Sequence, residues 1–138
     1  MEDYDERTYG DRIAGVYDEM YSEYNQTSIE TLYELAQGGP ALELGIGTGR
    51  IALPLRLKGV EVHGIDASEA MVERLHAKPG GEDIPVNLGD FGEVAVDGQF
   101  ALIYVVFNTF YGLLTQEAQI NCFGNVAKRL SHEGVFVL

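Results

Sequence analysis

Short apolar runs alternate with amphipathic stretches along residues 38–138. Five runs have the length of a β-strand, at residues 41–44, 60–65, 84–88, 100–107 and 135–138. Three intervening stretches have helical length and spacing: one beginning at Ile51, and residues 68–77 and 116–130. Strands that are apolar almost throughout and alternate with helices are typical of a parallel sheet buried on both faces. The pattern therefore predicts an α/β domain.

Individual residues refine the helices. Pro54 should kink its helix or occupy the first turn, because proline lacks an N–H. Ser68 is a suitable N-cap for the next helix. In the last helix, apolar positions at i, i+3, i+7 and i+10 predict a buried face of Ile120, Phe123, Ala127 and Leu130. Residues 131–134, which include His132, predict a turn before the fifth strand.

Residues 1–37 differ in composition from the remainder of the chain. They hold 10 acids and 2 bases, a net charge of −8, whereas residues 38–138 hold 12 and 7, a net charge of −5. This segment also contains six of the eight tyrosines, namely Tyr4, Tyr9, Tyr17, Tyr21, Tyr24 and Tyr33. The composition predicts a helical arm with tyrosines facing inward and carboxylates outward, bounded by the break at residues 37–40.

Length, charge and cysteine content limit the function classes. A chain of 138 residues suits one domain, and its net charge of −13 opposes binding to a nucleic-acid backbone. The first residues are acidic where a secretory signal would be basic and then apolar, so no signal peptide is predicted, and no apolar run reaches the roughly 20 residues that a membrane span needs. The single Cys122 fits a reducing compartment, so we expect a cytoplasmic protein. The apolar end at Leu138 predicts a fragment of a longer chain, and an exposed edge strand able to form a homodimer.

A glycine-rich loop follows the first predicted strand and opens a helix. Its sequence is Glu43-Leu44-Gly45-Ile46-Gly47-Thr48-Gly49-Arg50. Glycines at this place let a ligand approach the backbone, and the helix start offers N–H groups to it. A dinucleotide fingerprint needs glycine or alanine where this chain has Arg50, and no Walker A Gly-Lys pair is present. The loop therefore predicts a nucleotide-type ligand and disfavours both of those motifs.

Two further anchors lie at the ends of later strands. Asp66 ends the second strand, 21 residues after Gly45, where α/β nucleotide sites hold a carboxylate against ribose hydroxyls. Asp90 and Phe91 follow the third strand. A carboxylate there accepts a hydrogen bond from an exocyclic amine, and the aromatic ring covers a purine.

Taken together, these motifs resemble those of the class I S-adenosylmethionine-dependent methyltransferases that act on small molecules. The resemblance extends from about Tyr17 to Leu138, and includes the segment Tyr17-Asp18-Glu19-Met20-Tyr21. It implies a Rossmann-like sheet with strand order 3-2-1-4-5 and helices on both faces. The family's sheet has seven strands, of which this chain supplies five.

The resemblance also implies which residues hold S-adenosylmethionine. Glu43 would support the glycine loop and the methionine amino group, and Asp66 would take the ribose hydroxyls. Ala67 and Met71 would pack beside the adenine. Asp90 would bind the adenine N6, and Phe91 would offer its backbone N–H to the ring. The other implied cofactor contacts are Tyr17, Tyr21, Gly45, Gly47, Gly49 and Phe107.

The methyl acceptor is predicted to be a small molecule with an amine or a hydroxyl group. A sulfonium methyl is already activated, so alignment matters more than a strong base. Asn108 and Tyr111 follow the fourth strand and are candidates to orient the substrate. No residue cluster has metal-ligand spacing. Two alternatives stay open: a non-catalytic or truncated cofactor-binding module, and a less favoured NAD-dependent oxidoreductase.

Overall fold

A five-stranded sheet forms the centre of the molecule. The computed structural model describes residues 26–105 and 115–138. Its strands are β1 Ala41–Leu44, β2 Val62–Asp66, β3 Val86–Leu88, β4 Phe100–Tyr104 and β5 Leu130–Val137. They lie in the order β3-β2-β1-β4-β5, and all four pairings are parallel. The predicted Rossmann-like sheet and its strand order are therefore confirmed.

Helices connect the strands. They are α1 Gln26–Ala36, α2 Ala52–Leu57, α3 Glu69–Ala77 and α4 Gln116–Arg129, with short 3-10 helices at Gly81–Asp83 and Phe91–Glu93. Pro54 is the third residue of α2, so it occupies the first turn, where no helical N–H bond is lost. The Ser68 hydroxyl accepts the N–H of Met71 at 3.2 Å, which makes Ser68 the N-cap of α3.

Two apolar cores lie on opposite faces of the sheet. Because side chains alternate along a strand, Leu102 and Tyr104 of β4 join one core while Ile103 joins the other. Helices α1, α2 and α3 contribute to the first core, and α4 covers the second. The sheet is thus covered on both faces, as the sequence predicts.

The buried face of α4 differs from the predicted one. Ile120 is 62% exposed and Phe123 is 43% exposed, whereas Cys122 and Val126 are buried. The helix packs against the 3-10 helix at Phe91–Glu93, where the Asn125 side-chain amide donates to the Gly92 carbonyl at 3.0 Å. The prediction of the face is wrong because the helix carries two apolar stripes, and its neighbours decide which one is buried.

The start of β5 also differs from the prediction. Strand β5 begins at Leu130, immediately after α4, so residues 131–134 lie within a strand and not in a turn. The pairing with β4 shifts register between Phe100 and Leu102, whose partners are Leu130 and Val135. Residues 131–134 are accommodated as an irregularity of the ladder, and His132 is exposed on it.

The described part of the predicted N-terminal arm is α1. It packs on the sheet through Ile29, Leu32 and Ala36. Tyr33 is 44% exposed, and the Lys58 ammonium lies 5.2 Å from its ring centroid. The inward orientation predicted for the tyrosines is therefore wrong at Tyr33, since Leu32 takes the core-facing position. The other five tyrosines of the arm lie outside the described residues.

No helix within residues 26–105 and 115–138 is both long and apolar enough to cross a membrane.

Gly64 in β2 leaves the space that Ile46 fills. A Cβ built at Gly64 would lie 2.5 Å from Ile46 Cδ1 and 2.7 Å from Ile46 Cβ. We expect Gly64→Ala to lower the free energy of unfolding by about 1–3 kcal/mol, because the core must shift to relieve the overlap. Chemical denaturation of the two proteins measures this difference.

The matched control is Gly124→Ala. Gly124 lies within α4, and a Cβ there meets no heavy atom of the described residues within 4 Å beyond the backbone of its own helix. Alanine is the better helix former, so we expect this variant to gain up to about 1 kcal/mol. Equal effects of the two substitutions would contradict the packing role of Gly64.

Candidate functional site

The glycine loop leaves β1 with positive φ angles at alternate residues. The values are 70° at Gly45, 59° at Gly47 and 82° at Gly49. The N–H groups of Gly45 and Ile46 both donate to the Ile65 carbonyl, at 2.8 and 3.0 Å. These bonds tie the loop to the carboxyl end of β2, at the edge where open α/β sheets bind their ligands.

Gly47 and Gly49 lack side chains for different reasons. A Cβ at Gly49 would collide with Leu75 and crowd Leu53, so this glycine lets α2 and α3 pack closely. A Cβ at Gly47 would meet only Met71 Sδ among the described residues, at an ordinary distance of 3.6 Å. Packing between the helices therefore explains why residue 49 is a glycine. At residue 47 the positive φ angle and the approach of a ligand to the backbone explain the glycine instead.

Asp66 joins the glycine loop to the start of α3. Its Oδ2 accepts the Gly47 N–H at 2.8 Å, and its Oδ1 accepts the Ser68 N–H at 2.8 Å. Asp66 is half-buried at the end of β2. A carboxylate accepts hydrogen bonds through both of its oxygens, which is the chemistry that binds vicinal hydroxyls.

Glu43 lies beneath the loop, in β1. It is 2% exposed, and its Oε1 accepts the hydroxyl proton of Tyr104 at 2.9 Å. Tyr104 is itself fully buried, and the two residues are direct neighbours in the register of β1 and β4. A carboxyl group and a phenol thus form a buried pair at the edge of the sheet that carries the glycine loop.

Burial controls the ionisation of this pair. Loss of solvent raises the pKa of Glu43 from 4.5 to about 8, although the Tyr104 hydrogen bond and the charge of Arg50 both lower it. The negative charge of Asp66 adds a smaller upward shift to the pKa of Glu43. Burial, followed by the charge of Glu43, raises the pKa of Tyr104 well above its usual value. Glu43 is therefore largely protonated at neutral pH.

Sequence reasoning missed two residues that shape the site. Tyr104 lies in a predicted apolar strand, and its hydroxyl is the one polar side-chain group in the run of residues 100–107 and is the signal that marks it. Lys78 follows α3, and its ammonium donates to the Thr48 carbonyl of the glycine loop at 2.9 Å. A lysine at the end of a helix gives no sequence signal for this contact.

The Asp90–Phe91 anchor has a different structure from the predicted one. Asp90 is exposed, and its Oδ1 accepts the Gly92 N–H at 2.9 Å, so it caps the 3-10 helix Phe91–Glu93. The Phe91 ring is 5% exposed and belongs to the core beneath α4. The prediction that this ring covers a purine is wrong, because the core encloses it. The implied contacts of the Asp90 carboxylate and the Phe91 backbone stay predictions.

The remaining candidates divide into two groups. Ala67 is half-buried beside Asp66, and Met71 is buried with its sulfur facing Gly47. Five candidates lie outside the described residues, namely Tyr17, Tyr21, Phe107, Asn108 and Tyr111. Within the described ranges, no group of three or more His, Cys, Asp or Glu residues is placed to hold a metal ion.

The geometry thus brings Glu43, Gly45, Gly47, Asp66 and Met71 to one edge of the sheet. Among the described residues, this edge presents a glycine loop whose Gly47 Cβ position meets only the sulfur of Met71, the carboxylate of Asp66 and one buried neutral carboxyl. Such a set of groups suits a ligand with vicinal hydroxyls and a positive charge.

Comparison with known proteins identifies a family. The model of a family described as "Methyltransferase domain" matches residues 41–134, which span β1 to β5 and include the glycine loop and Asp66. The chain is 34% identical over 129 residues to "Putative methyltransferase YqeM" of Bacillus subtilis (strain 168), covering 91% of this chain and 52% of that protein.

Two further proteins are similar. The chain is 31% identical over 101 residues to the cypemycin N-terminal methyltransferase of a Streptomyces species, covering 73% of this chain and 41% of that protein. The structure of the CcbJ methyltransferase from Streptomyces caelestis superposes with a TM-score of 0.82 at 38% identity, covering 97% of this chain and 58% of that one. The chain spans about half the length of the curated relatives that it matches.

The raised pKa of Glu43 predicts a specific pH dependence of stability. The folded chain holds this proton up to about pH 8, whereas the unfolded chain releases it near pH 4.5. The contribution of Glu43 is therefore present in full below pH 4.5 and decreases as pH rises through about 8. The slope approaches about 1.4 kcal/mol per pH unit at most.

Replacing Glu43 with glutamine removes this titration and keeps an acceptor for Tyr104. We expect the free energy of unfolding of Glu43→Gln to fall less steeply than that of the wild type between pH 4.5 and 8. Denaturation series at several pH values measure the difference. Glu30→Gln, at an exposed carboxylate of α1, is the control and should keep the wild-type slope. Parallel profiles for Glu43→Gln and wild type would show that Glu43 is ionised when folded.

Proposed function

The chain belongs to the methyltransferase domain family, and from that premise we propose that it binds S-adenosylmethionine and transfers the methyl group to a small molecule. The observation that carries the proposal is the bond between Asp66 and the Gly47 N–H, at 2.8 Å. It holds a ribose-type acceptor directly against a glycine loop whose backbone a ligand is able to approach.

The residues of this edge suit that cofactor. The Asp66 carboxylate holds the loop, and an acceptor of this chemistry at the end of β2 suits the two ribose hydroxyls. Gly47 keeps the loop surface free of a side chain, and Met71 provides an apolar contact beside it. The half-buried Ala67 extends this apolar surface for the adenine. We assign Glu43 to the methionine end, where a positive charge would stabilise its ionised form.

The proposed acceptor is an amine, with a hydroxyl as the alternative. When bound, S-adenosylmethionine supplies a methyl group already activated by its sulfonium. The chain's contribution is then to align the acceptor and exclude water, which we assign to Phe107, Asn108 and Tyr111, together with Tyr17 and Tyr21. An amine brings its own lone pair, whereas a hydroxyl needs a base. The relative named as an N-terminal methyltransferase supports the amine.

The charge of the chain also supports a cationic ligand. A net charge of −13 attracts a sulfonium or an ammonium and repels a nucleic acid. We therefore propose a small-molecule substrate, with neither nucleic acid nor membrane as partner. A homodimer through β5, which is an edge strand of the sheet, and a cytoplasmic location are further proposals.

Calorimetric titration with S-adenosylmethionine, S-adenosylhomocysteine and NAD tests the proposed cofactor. We expect micromolar binding of the first two and none of NAD. Binding of NAD alone would favour an oxidoreductase. Binding of both adenosyl compounds without methyl transfer to any amine or hydroxyl acceptor would favour a non-catalytic binding module.

Substitution of Asp66 tests the ribose contact. We expect Asp66→Ala to weaken S-adenosylmethionine binding by about 1–3 kcal/mol, because charge-assisted hydrogen bonds to the cofactor are lost. Asp83→Ala is the control, since Asp83 forms an exposed ion pair with Arg56 at 3.2 Å and should leave the affinity unchanged. Calorimetry measures both variants. An unchanged affinity in Asp66→Ala would refute the proposed contact.

Substitution of Gly47 tests whether the cofactor passes over the loop. Valine at φ 59° is strained by roughly 1–2 kcal/mol, and it also places methyl groups in the proposed cofactor path. We expect Gly47→Val to abolish binding. Gly38→Val carries the same type of strain at φ 80°, with no atom of the described residues within 4 Å of its Cβ, and should bind normally. If the two variants lose stability equally and both still bind, the cofactor lies elsewhere.

A further inference from the structure

Glu43 and Tyr104 form a buried acidic pair beneath the glycine loop. The carboxyl group is 2% exposed, the tyrosine is fully buried, and the hydroxyl of Tyr104 lies 2.9 Å from Glu43 Oε1. Adjacent parallel strands hold both residues in direct register. Neither side chain can move away from the other without disturbing the centre of the sheet, so the pair is a fixed part of the site.

Among the described residues, three elements contribute the polar and charged groups that act on Glu43. Tyr104 contributes a hydroxyl from β4, Asp66 contributes a negative charge from the end of β2, and Arg50 contributes a positive charge from the glycine loop. Burial disfavours an ionised carboxyl more strongly than the tyrosine and the arginine favour it. In the ligand-free chain the balance therefore favours the neutral acid.

A cation at the loop would reverse this balance. An ammonium or sulfonium within a few ångströms of a buried carboxyl interacts strongly, because the surrounding dielectric constant is low. The hydrogen bond from Tyr104 already favours the ionised form and is retained after the proton leaves. The negative charge that forms on Glu43 offsets the positive charge of the ligand, so the net charge of the site changes little on binding.

We propose that Glu43 is a neutral acid in the ligand-free chain and releases its proton when the positively charged methionine end of S-adenosylmethionine binds, with Tyr104 as the positioning residue that stabilises the resulting carboxylate. The inference rests on the proposed function and adds to it a proton-linked step in cofactor capture. The O–H bond of the Glu43 carboxyl breaks, its electron pair stays on oxygen, and the proton passes to solvent.

Calorimetry in two buffers of different ionisation enthalpy counts the released protons. At pH 7 we expect wild type to release close to one proton more per S-adenosylmethionine bound than Glu43→Gln. Any proton exchanged by the ligand itself is common to both proteins and cancels. The wild-type association constant should also rise by up to about tenfold per pH unit below pH 8, relative to that of Glu43→Gln.

Tyr104→Phe tests the positioning role. Without the hydroxyl the carboxylate is harder to form, so at pH 7 we expect about tenfold weaker binding and recovery at higher pH. Without ligand, the pH-dependent loss of stability caused by Glu43 should extend to a higher pH than in wild type, because the pKa of the folded-state carboxyl rises. Tyr33→Phe makes the same chemical change at an exposed tyrosine of α1 and should alter neither property. A loss of affinity that is equal at every pH would overturn the positioning role.

The outcomes separate this inference from the proposed function. Binding of S-adenosylmethionine with equal proton release in wild type and Glu43→Gln would overturn the inference and leave the proposed cofactor in place. Absence of any binding by wild type would overturn both. If Tyr104→Phe fails to fold, the wild-type and Glu43→Gln titrations still decide whether Glu43 releases the proton.

Discussion

The arrangement of the candidate site depends on the carboxylate of Asp66. It accepts one N–H from the glycine loop and one from the residue that caps α3, both at 2.8 Å. Two segments that leave neighbouring strands are thereby fixed to a single side chain at the end of β2. Charge-assisted bonds of this kind are stronger than neutral ones, and the half-buried position shields them from water. The two bonds fix the position of the loop relative to the start of α3.

The parallel sheet imposes a second constraint on the site. Because helices cover both of its faces, a polar side chain in a central strand has no access to water and must find a partner within the protein. Glu43 finds that partner in Tyr104, one strand away. Desolvation then keeps the acid neutral, with a pKa of about 8. An acidic residue in a central strand is thus held as an uncharged group.

Much of the fold follows from local patterns in the sequence. Apolar runs and helical spacing predicted the strands, the helices and their alternation, because burial on both faces leaves a continuous apolar signature. The buried face of α4 was not predictable in this way. Ile120 and Phe123 form one apolar stripe, and Cys122 and Val126 form another. Apolar periodicity alone does not predict which of the two stripes is buried. Packing of α4 against the 3-10 helix at Phe91–Glu93 buries the stripe of Cys122 and Val126.

The candidate site also contains features that local sequence predicts and features that only tertiary contacts decide. The sequence by itself determined the glycine loop, the acid that ends β2 and the N-cap of α3, because each depends on backbone requirements within a few residues. Only the tertiary structure decided that Tyr104 bonds to Glu43, that Lys78 holds Thr48, and that the ring of Phe91 enters the core. These contacts join residues that are distant in the chain. Strand pairing and helix packing create these contacts, and a local sequence pattern does not predict which partner a side chain contacts.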